Sequence, residues 1–251
     1  MTRPLRVVTP YRPFPPESQS HALLGAFDWI AAVRMLTTSV DRSNACDTLA
    51  LTDVATPLPV PALSYPTTEP RLMLWILEVT CAYLESADFD RDTILVSPDT
   101  LVFQDLRPYF AGDLTVLIRA DARFAARPIL NSVQWFPVRA KARLIAFYRE
   151  ALAIGRTLDE GYLRWGADTE PLRQLLEPIV PGRSPRHGVD VSMVHAAAVM
   201  RSLPSQLIHQ LDAGHPIPWP QIPVVDFRYL RKQKMAAYFD ATIGHTLEVS
   251  P

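Results

Sequence analysis

The chain has 251 residues, 48% of them hydrophobic and 20% charged, with a formal net charge of -1. That length suffices for one α/β domain with a full core. The near-zero charge excludes a global electrostatic drive towards nucleic acid or an anionic membrane. No apolar run approaches the roughly 20 residues of a membrane span. The start, Met1 to Thr9, is basic but lacks the apolar core of a secretory signal, so the expected location is the cytoplasm. Cys46 and Cys81 stand in unrelated contexts and read as buried thiols rather than a disulfide or a zinc site. The 24 prolines, about twice average usage, imply many irregular connections.

Taken in order, Arg6 to Tyr11 reads as a first strand that ends at a proline, followed by a stiff loop from Arg12 to Pro16. Ser18 or Ser20 is placed to cap a helix that His21, Leu24, Phe27, Trp29, Ile30 and Val33 describe at helical spacing. Thr48 to Asp53 is a second strand, and the proline-rich connection after it is long enough to be a functional loop. Glu69 to Ser86 is an amphipathic helix leading into Ile94-Leu95-Val96, a short apolar run of the kind buried on both faces of a sheet. That run stops at Ser97-Pro98-Asp99, and a second one, Leu101-Val102-Phe103, closes at Asp105.

Leu114 to Ile118 and Val133 to Val138 read as further strands, and Arg139 to Ile154 as a helix with Gly155 as its stop. Pro171 to Ile179 is another helix, Val189 to Met200 is strand or helix, and Pro204 to Leu211 is helical. Val224 to Phe227 is a last short strand before a basic helix from Leu230 to Asp240. Strands alternating with helices imply an α/β fold with a mostly parallel central sheet flanked by helices, in a single domain. In such sheets ligands bind beyond the carboxyl ends of strands. Asp99 is therefore placed to hold a metal or a hydroxylated ligand.

The stretch Thr93 to Leu106 resembles the region around the Asp-x-Asp motif of GT-A glycosyltransferases, with Ser97 where that motif has its first aspartate. Four further features fall in the order found in the glycogenin and galactinol-synthase group. Val8-Thr9-Pro10-Tyr11 is similar to the end of the first strand, which holds the nucleotide base. Pro128 to Ser132 is similar to the strand whose asparagine, here Asn131, contacts the transferred sugar. Trp165-Gly166-Ala167-Asp168 is similar to the segment whose carboxylate lies near that sugar. Val224-Val225-Asp226-Phe227 with Lys232 or Lys234 is similar to the late segment that binds metal and diphosphate, with Asp226 in the place of a histidine.

The resemblance implies a GT-A-like, Rossmann-like domain over residues 1–251, with donor binding in about the first 120 residues and sugar and acceptor binding in the rest. It implies transfer of a sugar, with retention of configuration, from a nucleotide-diphosphate donor such as a UDP-sugar to an acceptor hydroxyl. Thr9, Tyr11, Ser97, Asp99, Lys232 and Lys234 are then the donor-binding residues, and Asn131 and Asp168 the catalytic ones. Asp99 and Asp226 are the ligands for Mn²⁺ or Mg²⁺, which accept carboxylate oxygens. A diphosphate leaving group requires positive charge, so a metal-free site using Arg119, Arg228, Lys232 or Lys234 stays open.

Plainer roles stand beside these. Asp99 fits an Asx turn, Asp168 a helix N-cap, and Asp226 a surface pair with Arg228 or Arg231. The acceptor is open among glycans, small molecules and modified nucleic acid, since Arg119, Arg123, Arg127, Arg139, Lys141 and Arg143 form a basic track that suits DNA. A non-catalytic nucleotide-sugar module is the other alternative.

Overall fold

The computed structural model describes residues 5–13, 27–44, 46–119, 129–159, 161, 166–176 and 186–243. Ser18, Ser20, Arg123, Arg127, Pro128 and Trp165 lie outside them. The described strands are β1 (Leu5–Pro10), β2 (Cys46–Thr52), β3 (Ala62–Ser64), β4 (Thr93–Val96), β5 (Thr100–Val102), β6 (Leu114–Ile118), β7 (Ile129–Phe136), β8 (Val191–His195), β9 (Met200–Ser202) and β10 (Val224–Asp226). Seven of them form the central sheet, in the order β3-β2-β1-β4-β7-β6-β8, and β5-β10-β9 form a second small sheet. Within the central sheet only β7 runs against its neighbours, so the sheet is mostly parallel.

The apolar run of β4 is continuous because both of its faces are covered. Leu95, with Val8 of β1, faces a cluster built on the helices α2 (Leu72–Glu85) and α3 (Lys141–Arg156). Ile94 and Val96, with Val7, face Leu36 and Val40 of α1 (Trp29–Ser43). Successive strand side chains point to opposite faces, so three consecutive aliphatic residues serve two cores. Trp75, Leu77 and Tyr83 of α2 meet Phe147 and Tyr148 of α3 in the larger core. Among the described residues no helix is long and apolar enough to cross a membrane.

Several local expectations change. Gly155 lies inside α3 rather than after it; a Cβ there would stand 2.6 Å from Leu74 Cδ1, so the glycine serves the close approach of α3 to α2. The proline-rich connection contains β3, a three-residue edge strand too short to show a period. The strand expected at Val133 to Val138 instead spans Ile129–Phe136 and takes in Asn131. Val189 to Met200 divides into β8, the short helix α5 (Ala196–Val199) and the start of β9, following α4 (Glu170–Leu176). After α6 (Ser205–Asp212) and β10, the expected basic helix is a 3₁₀ segment, Tyr229–Lys234, running into α7 (Met235–Thr242).

Gly112 sets the entry to β6. Its φ is +68°, and a Cβ would lie 2.7 Å from the backbone oxygen of Asp190. The close approach lets Asp113 N donate to Asp190 O at 2.7 Å, bringing β6 alongside β8. The Asp113 carboxylate, almost fully buried, accepts from Arg139 at 2.9 Å and Arg143 at 2.8 Å, which ties this corner to α3. Gly112→Ala is expected to destabilise the fold by about 2 kcal/mol, since it combines left-handed strain with a backbone clash. Chemical denaturation measures this, and an unchanged midpoint would contradict it.

Candidate active site

The site is assembled by strand pairing. Beyond β4 the chain is held to β7 by Ser97 N donating to Ser132 O at 2.8 Å, and Thr100 Oγ1 closes the Ser97–Thr100 turn on Ser97 O at 2.7 Å. β10 runs antiparallel to β5 with Asp226 opposite Thr100, and Phe227 N donates to Asp99 O at 2.9 Å. Asp99 and Asp226 are thereby set beside each other at the carboxyl end of β4.

Each carboxylate carries its own cation. Ser97 Oγ donates to Asp99 Oδ1 at 2.5 Å, and Lys232 Nζ donates to Asp99 Oδ2 from 133 positions further along the chain. Arg228 Nε donates to Asp226 Oδ2, and its Nη2 to Ser132 Oγ at 3.3 Å. Lys232 Nζ also lies 4.6 Å from the centre of the Trp29 ring, within cation–π range. Burial, the largest single influence, raises the Asp99 carboxyl, but the Lys232 ammonium, the Ser97 hydroxyl and the Arg228 charge together outweigh it and hold the group below the usual carboxylate range. Asp226 goes the other way. Burial pushes it up to about 6, Asp99 repels its charge, and Arg228 offsets only part of this. That repulsion places the two carboxyls within electrostatic reach of each other.

Asp99 and Lys232 open onto a cleft of about 170 Å³ at the carboxyl ends of β1 and β4. Its wall also carries Tyr11, Arg12, Trp29, Trp75, Ser97 and Asp168, while Asp226 lies behind Asp99 with only 1% exposure. Asp168 precedes α4. Burial raises its carboxyl above the ordinary range, against hydrogen bonds from Asn131 Nδ2 at 3.1 Å and Thr169 Oγ1 at 3.2 Å. Asn131 Nδ2 also donates to Asp168 O at 3.2 Å, and Asn131 Oδ1 is buried without a hydrogen-bond partner. An unpaired buried acceptor costs about 1–3 kcal/mol, and such groups persist where a ligand completes them.

The sequence-derived set is therefore only partly convergent. Tyr11, Ser97, Asp99, Asp168 and Lys232 share the cleft, with Asn131 and Asp226 immediately behind. Thr9 is fully buried with its hydroxyl unpaired, so its side chain is not on the wall. Lys234 pairs with Asp212 at 2.5 Å on the surface, away from the cleft, because the 3₁₀ segment points Lys232 inward and Lys234 outward. Arg12, Trp29 and Trp75 are among the wall residues not assigned to the site from sequence. Arg12 is fixed over the Trp75 ring at 4.9 Å and donates to the carbonyls of Glu69, at 2.7 Å, and Pro70. A basic residue directly after the carboxyl end of the first strand was the available signal.

The basic track divides up. Arg139 and Arg143 are spent on Asp113, and Lys141 Nζ donates to Ser86 O at 2.6 Å. Among the described residues no cluster of three or more His, Cys, Asp or Glu side chains is present. For a divalent ion, the neighbouring carboxylates here are Asp99, on the cleft wall, and Asp226, behind it, each paired with a cation. They fit it in donor type, as hard oxygen ligands whose mutual repulsion a cation would relieve.

A mostly parallel sheet with one reversed strand, helices on both faces and an acidic cleft at the carboxyl ends of its central strands defines a single-domain α/β fold. No family model matches the chain and no curated protein matches it. Among solved structures the fold is similar to those of two glycosyltransferases. A glycosyltransferase involved in the glycosylation of the major capsid of PBCV-1 superposes on 93% of this chain and 100% of its own, with a TM-score of 0.57 and 10% identity. The apo-form glycosyltransferase GlyE of Streptococcus pneumoniae TIGR4 superposes on 90% of this chain, with a TM-score of 0.51 and 11% identity, and the match spans 54% of that protein.

The raised Asp168 carboxyl has a consequence for stability. Its folded pKa lies above the unfolded value of about 3.9, so its charge opposes folding at neutral pH, and this penalty is relieved as pH falls towards that value. Asp168→Asn is expected to raise the melting temperature at pH 8, with the gain shrinking towards pH 4. Thermal denaturation across that range checks it; a variant less stable than wild type at pH 8 would contradict it.

Proposed function

We propose that the chain is a glycosyltransferase that moves a sugar from a nucleotide-diphosphate donor, such as a UDP-sugar, to an acceptor hydroxyl with retention of configuration. The observation that carries this reading is the placement of the Asp99–Lys232 pair and Asp168 on one cleft at the strand carboxyl ends of a glycosyltransferase fold. In the transfer, the bond between the anomeric carbon and the diphosphate oxygen breaks, and its electron pair leaves with the phosphate. A bond then forms on the same face from the anomeric carbon to the acceptor oxygen, whose proton passes to the departing phosphate oxygen.

The chain's residues divide that work. Tyr11 and Trp29 offer aromatic faces to the base and ribose, and Lys232 and Arg12 offer positive charge along the diphosphate. Asn131 Oδ1 accepts from a sugar hydroxyl, which satisfies its unpaired oxygen. Asp168, held by Asn131 and Thr169, faces the anomeric carbon, where a carboxylate stabilises developing positive charge. Asp99 and Asp226 are the residues to hold Mn²⁺ or Mg²⁺. When bound, the ion adds positive charge at the leaving phosphate oxygens. Because Arg139, Lys141 and Arg143 are occupied within the molecule, we place the acceptor among glycans and small molecules rather than duplex DNA.

A thermal-shift screen against nucleotide-diphosphate sugars tests the donor. One sugar at about a hundred times its dissociation constant should stabilise the fold by roughly 2.7 kcal/mol. With that donor, Asp168→Ala should retain binding and lose transfer by about a hundredfold or more. Absence of a shift with every donor would overturn the reading. Binding without release of diphosphate would assign a non-catalytic module.

A further inference from the structure

We propose that Lys232 and Arg228 are built-in counter-ions that hold Asp99 and Asp226 against a divalent cation until a diphosphate arrives, so that cation and diphosphate bind as a coupled pair. The inference rests on the donor reading above and assigns a role to Arg228, which does not line the cleft. Both oxygens of Asp99 are engaged, Oδ1 by Ser97 and Oδ2 by Lys232, and Asp226 Oδ2 is engaged by Arg228. Lys232 and Arg228 belong to one short stretch, Arg228 at the start and Lys232 within the 3₁₀ segment that follows. The side chains of Lys232, Asp99 and Asp226 are each less than 15% exposed.

Charge bookkeeping gives the coupling. Two carboxylates and two cations sum to zero in the ligand-free site. A divalent cation entering alone must displace an ammonium and a guanidinium and leave them without anions in a poorly hydrated place, which is unfavourable. The diphosphate of a nucleotide sugar entering alone brings two more negative charges beside two carboxylates, and that of a free nucleoside diphosphate at least two. Entering together, the cation and the diphosphate are neutral as a unit, and one exchange of partners satisfies every charge. The carboxylates take the divalent cation, while Lys232 and Arg228 take the phosphate oxygens.

Lys232 is suited to that exchange. Its flexible four-carbon stem carries a rotatable ammonium, and the Trp29 face keeps the group at the cleft whichever anion it meets. Lys232 also borders a second hollow, lined by Phe27, Asp28, Met35 and Gln233, which leaves the side chain room to move and offers it another carboxylate. Arg228 has a second partner in Ser132 Oγ, at 3.3 Å, which holds the guanidinium beside the first half of β7 when Asp226 lets go.

The test is direct binding of Mn²⁺, followed by its electron paramagnetic resonance signal, with and without UDP or GDP. For wild type, the nucleoside diphosphate that binds should tighten Mn²⁺ at least tenfold, and Mn²⁺ should tighten that nucleotide by the same factor. Lys232→Gln/Arg228→Gln, which keeps hydrogen-bond donors on both carboxylates, should bind Mn²⁺ without nucleotide at least tenfold more tightly than wild type. Its nucleotide affinity should fall, and adding Asp99→Asn should abolish the gained Mn²⁺ affinity.

Two results overturn the inference and leave the donor reading standing. One is wild-type Mn²⁺ affinity that is equal with and without a bound nucleotide. The other is a folded double variant whose Mn²⁺ affinity is unchanged. If the double variant does not fold, the wild-type coupling alone decides, since it requires no substitution. Failure of wild type to bind either nucleotide, or any nucleotide sugar, with or without Mn²⁺ overturns both readings together.

Discussion

Two carboxylates brought out of water side by side require cations at the same place, and this constraint shapes the cleft end of the molecule. The antiparallel pairing of β10 with β5 sets Asp226 opposite Thr100 and next to Asp99. The same segment then supplies Arg228 and Lys232 within a few residues, so the strand that creates the electrostatic problem also carries its solution. The compensation is unequal. Lys232 with Ser97 and Arg228 more than offsets the burial of Asp99, whereas Arg228 and Lys232 only partly offset that of Asp226. A site balanced in charge but not in proton affinity is one whose ionic partners can exchange.

The sheet holds this arrangement rigid from below. β4 lies between β1 and β7, with both faces covered, so the turn at Ser97 to Thr100 starts from a fixed base. β7 runs in the opposite direction to β4, and Asn131 and Ser132 near its start therefore lie at the carboxyl end of β4. From there they reach Asp168 and Arg228 respectively. One reversed strand thus connects the acidic pair to the proposed sugar side of the cleft. Pro10, Trp29 and Pro98 line the same cleft.

Much of this was legible because its signals are local. The strand at Ile94 to Val96 could be read from three aliphatic residues closed by a proline turn, and Asp99 from its position past that strand. α2 could be read from Leu72, Trp75, Ile76 and Val79 at helical spacing. Where the reading departed from the structure, the deciding contact was distant in sequence. Gly155 has the residue type of a helix stop, but the side chain of Leu74 on another helix gives it a different purpose. Lys232 and Lys234 look equivalent as residues, yet the 3₁₀ turn sends one to Asp99 and the other to Asp212. Arg139 and Arg143 resemble part of a track for phosphates, but the carboxylate that occupies them, Asp113, lies on the far side of β7 in sequence.

By itself, then, the sequence determined the alternation of strands and helices, the mostly parallel sheet, and the acidic turn after β4. These follow from side-chain periodicity and turn chemistry within a few neighbouring residues. Only the tertiary structure decided which charges neutralise one another, which lysine enters the cleft, and that Arg12 and Trp29 line it. Those outcomes depend on strand register and on energies of burial, which exist only once residues far apart in the chain share the same low-dielectric space.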